Sequence, residues 1–331
     1  MLFKRLRSIL LPLALSLPLC AMAGPFSNLF VFGDSLSDTG NLIAAAGPGV
    51  RSFPFVGPYD GGRFSNGPLW IEGLATGLGL ASAAAPALLG GNNFAFAGAR
   101  TGSSQNPPGL LAQAVGLWGG NDLSVNLSFA DPNALYVVVG GGNDMRDVRS
   151  LNPGMGPLDV VAHGAGAAAA IANLANTLGY LANKGAKHIL ISTLPDLGST
   201  PEAALLNLQA ASSDASDQFN ALTQTFLMGF GAGLGLHMNL LDMAGLTDAL
   251  LANPASFGIS NTSLPCFGFA FSAGNSCATS LFADILHPSA ITHSLIAQAA
   301  LDVLGVPEPD SLALFGLALL ALVVVARRRA T

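Results

Sequence analysis

The chain has 331 residues, enough for one large α/β domain or two small ones. Thirteen Lys and Arg against 19 Asp and Glu leave a formal net charge of −6, which argues against binding to a nucleic-acid backbone. Only 10% of residues are charged, and 40 Gly and 20 Pro are spread along the length, a pattern of many tight loops rather than one disordered tract.

In chain order, Lys4, Arg5 and Arg7 precede an apolar run from Ile9 to Cys20, and Ala21-Met22-Ala23 stands before Gly24. A basic start, a short greasy run and small residues at 21 and 23 read as a secretory signal over residues 1–23, cleaved after Ala23. Lipid attachment at Cys20 is the alternative, although Leu-Pro-Leu before that Cys is a poor match. A retained helix would be too short to span a bilayer comfortably.

In the next segment, 24–305, Asn28 to Phe32 reads as a buried strand stopped by Gly33. The Gly/Pro-rich stretch from Ala44 to Pro68 reads as a long loop, and Pro68 to Leu80 as a helix with Pro in its first turn. Asn93 to Phe96 is expected to form a short strand and Ala134 to Val139 a strong one. Leu158 to Lys184 reads as a long Ala-rich helix closed by Gly185, and Lys187 to Ser192 as a fourth strand. A second long helical stretch runs from Ala204 to Phe230, a fifth strand from His237 to Leu241 and a final helix from Ser289 to Leu304. Apolar strands alternating with helices predict a parallel sheet covered on both faces, with ligands bound beyond the carboxyl ends of its strands. No repeat and no interior linker divides the segment.

Three Cys occur, and removal of the signal leaves Cys266 and Cys277. In an oxidising compartment these two are expected to form a disulfide closing a short loop. No His, Asp or Glu lies between them to support a metal site.

Val306-Pro307-Glu308-Pro309 then precedes an uncharged, mainly apolar run from Ser311 to Ala326, followed by Arg327, Arg328 and Arg329. This is a stop-transfer pattern, a transmembrane helix over 311–326 with cations held on the cytoplasmic side. The tail, 306–331, resembles the PEP-CTERM sorting signal of Gram-negative bacteria. That resemblance implies recognition and cleavage by an exosortase-type membrane enzyme after export through signal peptidase. A plain single-pass anchor is the alternative. In both cases segment 24–305 is exported, and the tail meets the membrane at least transiently.

Four pieces of chemistry fall at strand ends. Ser35 lies two residues beyond Gly33, at the carboxyl edge of the sheet. Far downstream, Asp284 stands three residues before His287, a spacing that lets the carboxylate fold back on one imidazole nitrogen and leave the other for a nucleophile. Of the five His, only His287 has a carboxylate so placed in a loop; His163, His188, His237 and His293 lie in or beside helix and strand patterns. Gly98 and Asn143 each come after an apolar strand pattern, and a glycine N–H and an asparagine amide are both suited to an oxyanion. Each piece alone is more often a turn or a cap.

Together the pieces resemble the GDSL (SGNH) serine esterase and lipase family. Gly33-Asp34-Ser35-Leu36 with Asp38-Thr39-Gly40-Asn41 is similar to its first block, Asn93 to Gly98 to its second, Gly142-Asn143-Asp144 to its third and Asp284-Ile285-Leu286-His287-Pro288 to its last. Gly62-Arg63-Phe64-Ser65-Asn66-Gly67-Pro68-Leu69-Trp70 and Leu194 to Pro201 resemble its lipase-like branch. Ala97 departs from the pattern, since many members carry a second Gly there.

The resemblance implies a three-layer α/β/α, flavodoxin-like SGNH-hydrolase fold with a five-stranded parallel sheet. It implies Ser35 as nucleophile, His287 as acid and base, Asp284 as the residue orienting it, and an oxyanion hole of the Ser35 and Gly98 N–H groups and the Asn143 side chain. No metal or organic cofactor enters. Asp34 and Asp144 are expected to organise loops rather than react. The implied activity is hydrolysis of a carboxylic ester, lipid-like or short-chain. Removal of O-acetyl groups from an extracellular polysaccharide is a variant, and an inactive surface binding protein on the same scaffold is an alternative of another class.

Overall fold

A computed structural model of the chain describes residues 25–46, 60–118, 121–122, 130–268 and 272–306. The expected signal at 1–23, the middle of the 44–68 loop and the transmembrane segment 311–326 lie outside the described residues.

Four strands form one parallel sheet: β1 (Leu29–Gly33), β4 (Leu135–Val139), β5 (His188–Ser192) and β6 (His237–Leu241), in the spatial order β1-β4-β5-β6. A two-stranded antiparallel pair, β2 (Leu117–Trp118) and β3 (Asn121–Asp122), lies apart. The helices are α1 (Asn41–Ala46), α2 (Trp70–Gly77), α3 (Leu110–Val115), α4 (Gly142–Leu151), α5 (Pro157–Lys184), α6 (Pro201–Leu206), α7 (Gln209–Leu222), α8 (Met228–Gly233), α9 (Met243–Ala252) and α10 (Ala290–Val303).

Alternation along the strands sends side chains to two cores. Phe32, Tyr136, Val138, Ile189 and Ile191 pack against α3, α5 and α7, through residues such as Leu110, Leu178 and Phe219. Leu29, Val31, Leu135, Val137 and Leu190 pack on the opposite face against Trp70, Ile71 and Leu74 of α2 and Ala297, Ala300 and Leu301 of α10. Full burial of one such side chain is worth about 1.5–3 kcal/mol, so both faces contribute and the strands are apolar almost throughout. Helices α2 and α10 approach closely because Gly73 has no side chain; a Cβ there would sit 2.7 Å from that of Ala297.

The sheet has four strands rather than the expected five. Asn93–Phe96 does run beside β1, with Phe94 N–H donating to the Val31 carbonyl at 2.7 Å and Phe96 N–H to that of Gly33 at 3.0 Å, but it forms isolated bridges only. Side chains take over its far edge: Ala95 N–H donates to Asn93 Oδ1, and Asn41 Nδ2 donates to the carbonyls of Asn93 and Ala95. The helical stretch expected from Ala204 to Phe230 is also broken. Asn207 adopts φ of 56° and ends α6 after six residues, and Thr223–Leu227 is a π-helical turn between α7 and α8. Helices α1, α3, α4 and α9 are additions to the expected set. The α4 sequence, GNDMRDVRSL, offers only Met145, Val148 and Leu151 as apolar positions in a mostly polar run, too few to stand out as a helix.

Candidate active site

Every segment flagged by its chemistry leaves the carboxyl end of a strand or packs on that edge. Beyond β1 the chain turns sharply, Ser37 and Asp38 N–H both donating to the Asp34 carbonyl. Asp38 is buried and holds this turn together. Its Oδ1 accepts from Gly40 and Asn41 N–H, and its Oδ2 from Leu42 and Ala97 N–H. Asn93 Nδ2 donates to the Ser37 carbonyl. The Asp38-Thr39-Gly40-Asn41 block therefore fastens the Ser35 turn to the segment that ends at Gly98.

His287 Nε2 lies 2.9 Å from Ser35 Oγ, and His287 Nδ1 lies 2.7 Å from Asp284 Oδ2. Asp284 Oδ1 accepts two further hydrogen bonds, from Leu286 N–H at 2.7 Å and His287 N–H at 2.6 Å. The carboxylate is thus fixed on one side by backbone and presents its other oxygen to the ring. The Phe64 ring packs at 5.1 Å from that of His287, and Ser65 Oγ donates to the Pro288 carbonyl. Cys266 and Cys277 form the expected disulfide, with Cα atoms 5.1 Å apart. Its loop supports the approach to Asp284, since Cys266 and Phe267 N–H donate to the Ala283 carbonyl. A second His–Asp contact, His163 to Asp214 at 2.6 Å, has no hydroxyl at its other nitrogen, which faces the Asn152 carbonyl.

Gly98 has φ of +80°, in the left-handed region that disfavours a side chain; space is not the constraint, as a Cβ would find Pro107 at 3.6 Å. The Ala97 N–H is engaged by Asp38, so the Gly98 N–H is the donor left for the site. Among the described residues neither Ser35 N–H nor Gly98 N–H has a hydrogen-bond acceptor. Asn143 opens α4, donates one N–H to the Ala99 carbonyl at 2.9 Å and accepts from Arg146 Nη1 at 3.0 Å, which leaves its second N–H. Ser35, Gly98, Asn143 and His287 line one cavity of about 470 Å³, with Phe64, Phe96, Arg100 and Arg146 on its walls. A narrower apolar slot of about 80 Å³ opens on the other side of Ser35, lined by Leu197, Met243, Leu246, Leu250, Leu281 and Phe282.

Asp144 accepts from Thr101 N–H and Oγ and bridges α4 to the Gly98 segment, a structural part. Three contributors escaped sequence reasoning as individual residues. Phe64 was visible only inside a resembling segment, and Arg146 and Glu202 not at all; Arg146 sits one helical turn from Asn143 on α4, a helix outside the expected set. Burial pushes the Glu202 carboxyl up, but Arg146 and Arg149 together hold it below its ordinary value. Among the described residues no group of three or more His, Cys, Asp and Glu side chains is placed to hold a metal ion.

Asp34 accepts from Leu36 N–H at 3.0 Å. Burial pushes its carboxyl up from 3.8 to about 6, against the pull of that hydrogen bond. The folded state then holds this proton more tightly than the unfolded chain, so the Asp34 contribution to stability is full below pH 4 and lost as pH rises through 6. His293 runs the other way: burial lowers it from 6.5 to about 3, so its contribution is full above pH 6.5 and is lost as pH falls. Asp34→Asn is expected to stabilise the fold by about 1–3 kcal/mol at pH 7.5 and hardly at all at pH 4. Thermal melts at the two pH values check this; an equal shift at both would count against it.

A profile of the GDSL-like lipase/acylhydrolase family matches residues 29–300, most of the chain. The chain belongs to this family. Residues 305–329 carry the PEP-CTERM protein-sorting motif. Among relatives of this family member, esterase EstA of Pseudomonas aeruginosa is 33% identical over 332 aligned residues, covering 87% of this chain and 48% of EstA. A phosphatidylcholine-sterol acyltransferase of Aeromonas hydrophila is 29% identical, covering 73% of this chain and 66% of that one. The chain spans about half the length of the curated relatives it matches first. Of solved structures, an extracellular lipase from Streptomyces rimosus is 19% identical, covers 84% of this chain and 98% of its own, and superposes with a TM-score of 0.40.

Proposed function

We propose that the chain is an exported carboxylic-ester hydrolase acting through an acyl-enzyme on Ser35. The observation that carries this is the unbroken series from Ser35 Oγ through His287 to Asp284, at 2.9 and 2.7 Å, beside main-chain N–H groups without acceptors. His287 Nε2 takes the Ser35 proton as the oxygen attacks the ester carbonyl, then returns it to the leaving alcohol. Asp284 keeps the ring proton on Nδ1 and stabilises the imidazolium. Ser35 N–H, Gly98 N–H and the remaining Asn143 N–H receive the oxyanion. Water activated by His287 then releases the acid.

The two cavities supply a reading of the substrate. The slot of about 80 Å³ is apolar and takes the acyl chain. The larger cavity is also mostly apolar, with Arg100, Asn106, Arg146 and Glu202 among the polar groups on its walls, and takes the alcohol portion. Candidate substrates are lipid-like and short acyl esters, acetylated sugars included. The sorting motif at 305–329 and the disulfide both support export, with signal peptidase and an exosortase-type enzyme as processing partners and the cell envelope of a Gram-negative-type bacterium as destination.

A series of chromogenic acetate, butyrate and laurate esters tests the activity and the chain length together. Turnover of at least one of these esters is expected, and the series reads the chain-length preference. A fluorophosphonate should phosphonylate Ser35 with loss of HF, adding the mass of its phosphonyl group to the peptide containing that residue. Failure to hydrolyse any ester, with no adduct, would overturn the reading.

A further inference from the structure

An asparagine amide is nearly symmetric in shape, but only one of its two orientations presents an N–H to an oxyanion. In this protein the choice is made by two neighbours of opposite character. The Ala99 carbonyl can only accept, and takes one Asn143 N–H at 2.9 Å. The Arg146 guanidinium can only donate, and reaches Asn143 Oδ1 at 3.0 Å. A flipped amide would set oxygen against oxygen and N–H against N–H, losing both bonds.

Arg146 is itself held rather than loose. Its Nε donates to Glu202 Oε2 at 2.9 Å and its Nη2 to Glu202 Oε1, a two-point fork that fixes the plane of the guanidinium. The same carboxylate takes a bond from Arg149, which is 2% exposed and anchored on Ser212 Oγ at 2.8 Å. Glu202 also touches the other half of the site, because its N–H donates to the Ile285 carbonyl at 2.7 Å, between Asp284 and His287. One residue therefore joins the amide beside Ser35 to the loop that carries the imidazole.

We propose that Arg146, braced by Glu202, is the positioning residue that holds the Asn143 amide with its free N–H toward the oxyanion. This rests on the Ser35 hydrolase reading and deepens it. Three of the five Arg146 N–H groups are engaged on Glu202 and Asn143, which fixes the guanidinium against the amide. Its effect should pass through Asn143, and so appear in kcat with KM little changed.

The test is a double-mutant cycle on the full processed protein with a chromogenic butyrate ester, using Arg146→Met, Asn143→Ala and the pair, with thermal melts as control. Asn143→Ala is expected to lower kcat by about 10²–10³-fold. Arg146→Met is expected to lower it by about 10–100-fold, since a misplaced group costs up to about 10². The pair should be no slower than Asn143→Ala alone. Arg146→Lys keeps a donor for Oδ1 but not the fork, and should recover part of the loss; it also completes the cycle should the Met variant not fold. Multiplicative losses in the pair, or an Arg146→Met enzyme within threefold of wild type, would overturn the proposal. So would an Asn143→Ala enzyme of full activity, while Ser35-dependent hydrolysis by the wild type would leave the esterase reading standing.

Discussion

Replacement of Ser35 by alanine is expected to lower kcat by about 10⁴–10⁶-fold, the range seen when a serine nucleophile is removed. The change deletes the attacking oxygen and one hydrogen bond, Ser35 Oγ to His287 Nε2. It leaves the ring held by Asp284 and packed against Phe64. It also leaves Gly98 and Asn143 in place, so substrate binding and a small residual rate should persist. The residue lies at the wall of an open cavity, where water can satisfy the freed nitrogen. Melting temperature should therefore stay close to that of the wild type. Steady-state rates on a butyrate ester and a thermal melt decide the matter. An alanine enzyme retaining a tenth of wild-type turnover would remove Ser35 from the mechanism.

Asp284→Asn should be nearly as damaging, about 10⁴-fold in kcat, for a reason the local geometry makes specific. Two backbone donors, Leu286 and His287 N–H, converge on Oδ1. An asparagine placed here must keep its oxygen on those donors, so its amide N–H₂ faces His287 Nδ1. The ring then becomes an acceptor at Nδ1 and carries its proton on Nε2, the atom that must take the proton from Ser35. The fold is retained because both backbone bonds survive, yet the base is in the wrong tautomer. The expected signature is a collapse in kcat with little change in KM and melting temperature. A loss below tenfold would mean that Asp284 does not set the tautomer.

Much of this site was readable from residue types placed after apolar runs. Buried strands of a parallel sheet are almost uniformly apolar, so β1, β4, β5 and β6 stand out, and the residues just beyond each of them must lie at one edge. The short spacing of Asp284 and His287 declared its own geometry. The polar positions between strands were harder. Asn93–Phe96 is apolar enough for a strand, yet the amides of Asn41 and Asn93 occupy the hydrogen-bonding edge that a regular ladder needs. Asn207 ends α6 by a left-handed turn that asparagine tolerates but does not dictate. Arg146 and Glu202 carried no signal of their own in the sequence; their pairing spans 56 positions and depends on how α4 meets α6.

The amino-acid sequence by itself determined the class of the fold, the edge at which the candidate site forms and the sorting tail, and it offered the residues proposed for catalysis, because each of these is set by local pattern. Tertiary structure alone decided which hydroxyl meets which imidazole across 252 positions, which amide face of Asn143 is presented, and how much room lies on either side of Ser35. The reason is that a hydrogen bond is made or lost within a few tenths of an ångström, and such distances between remote segments are set by the packing of α2 and α10 on one face of the sheet and of α5 and α7 on the other.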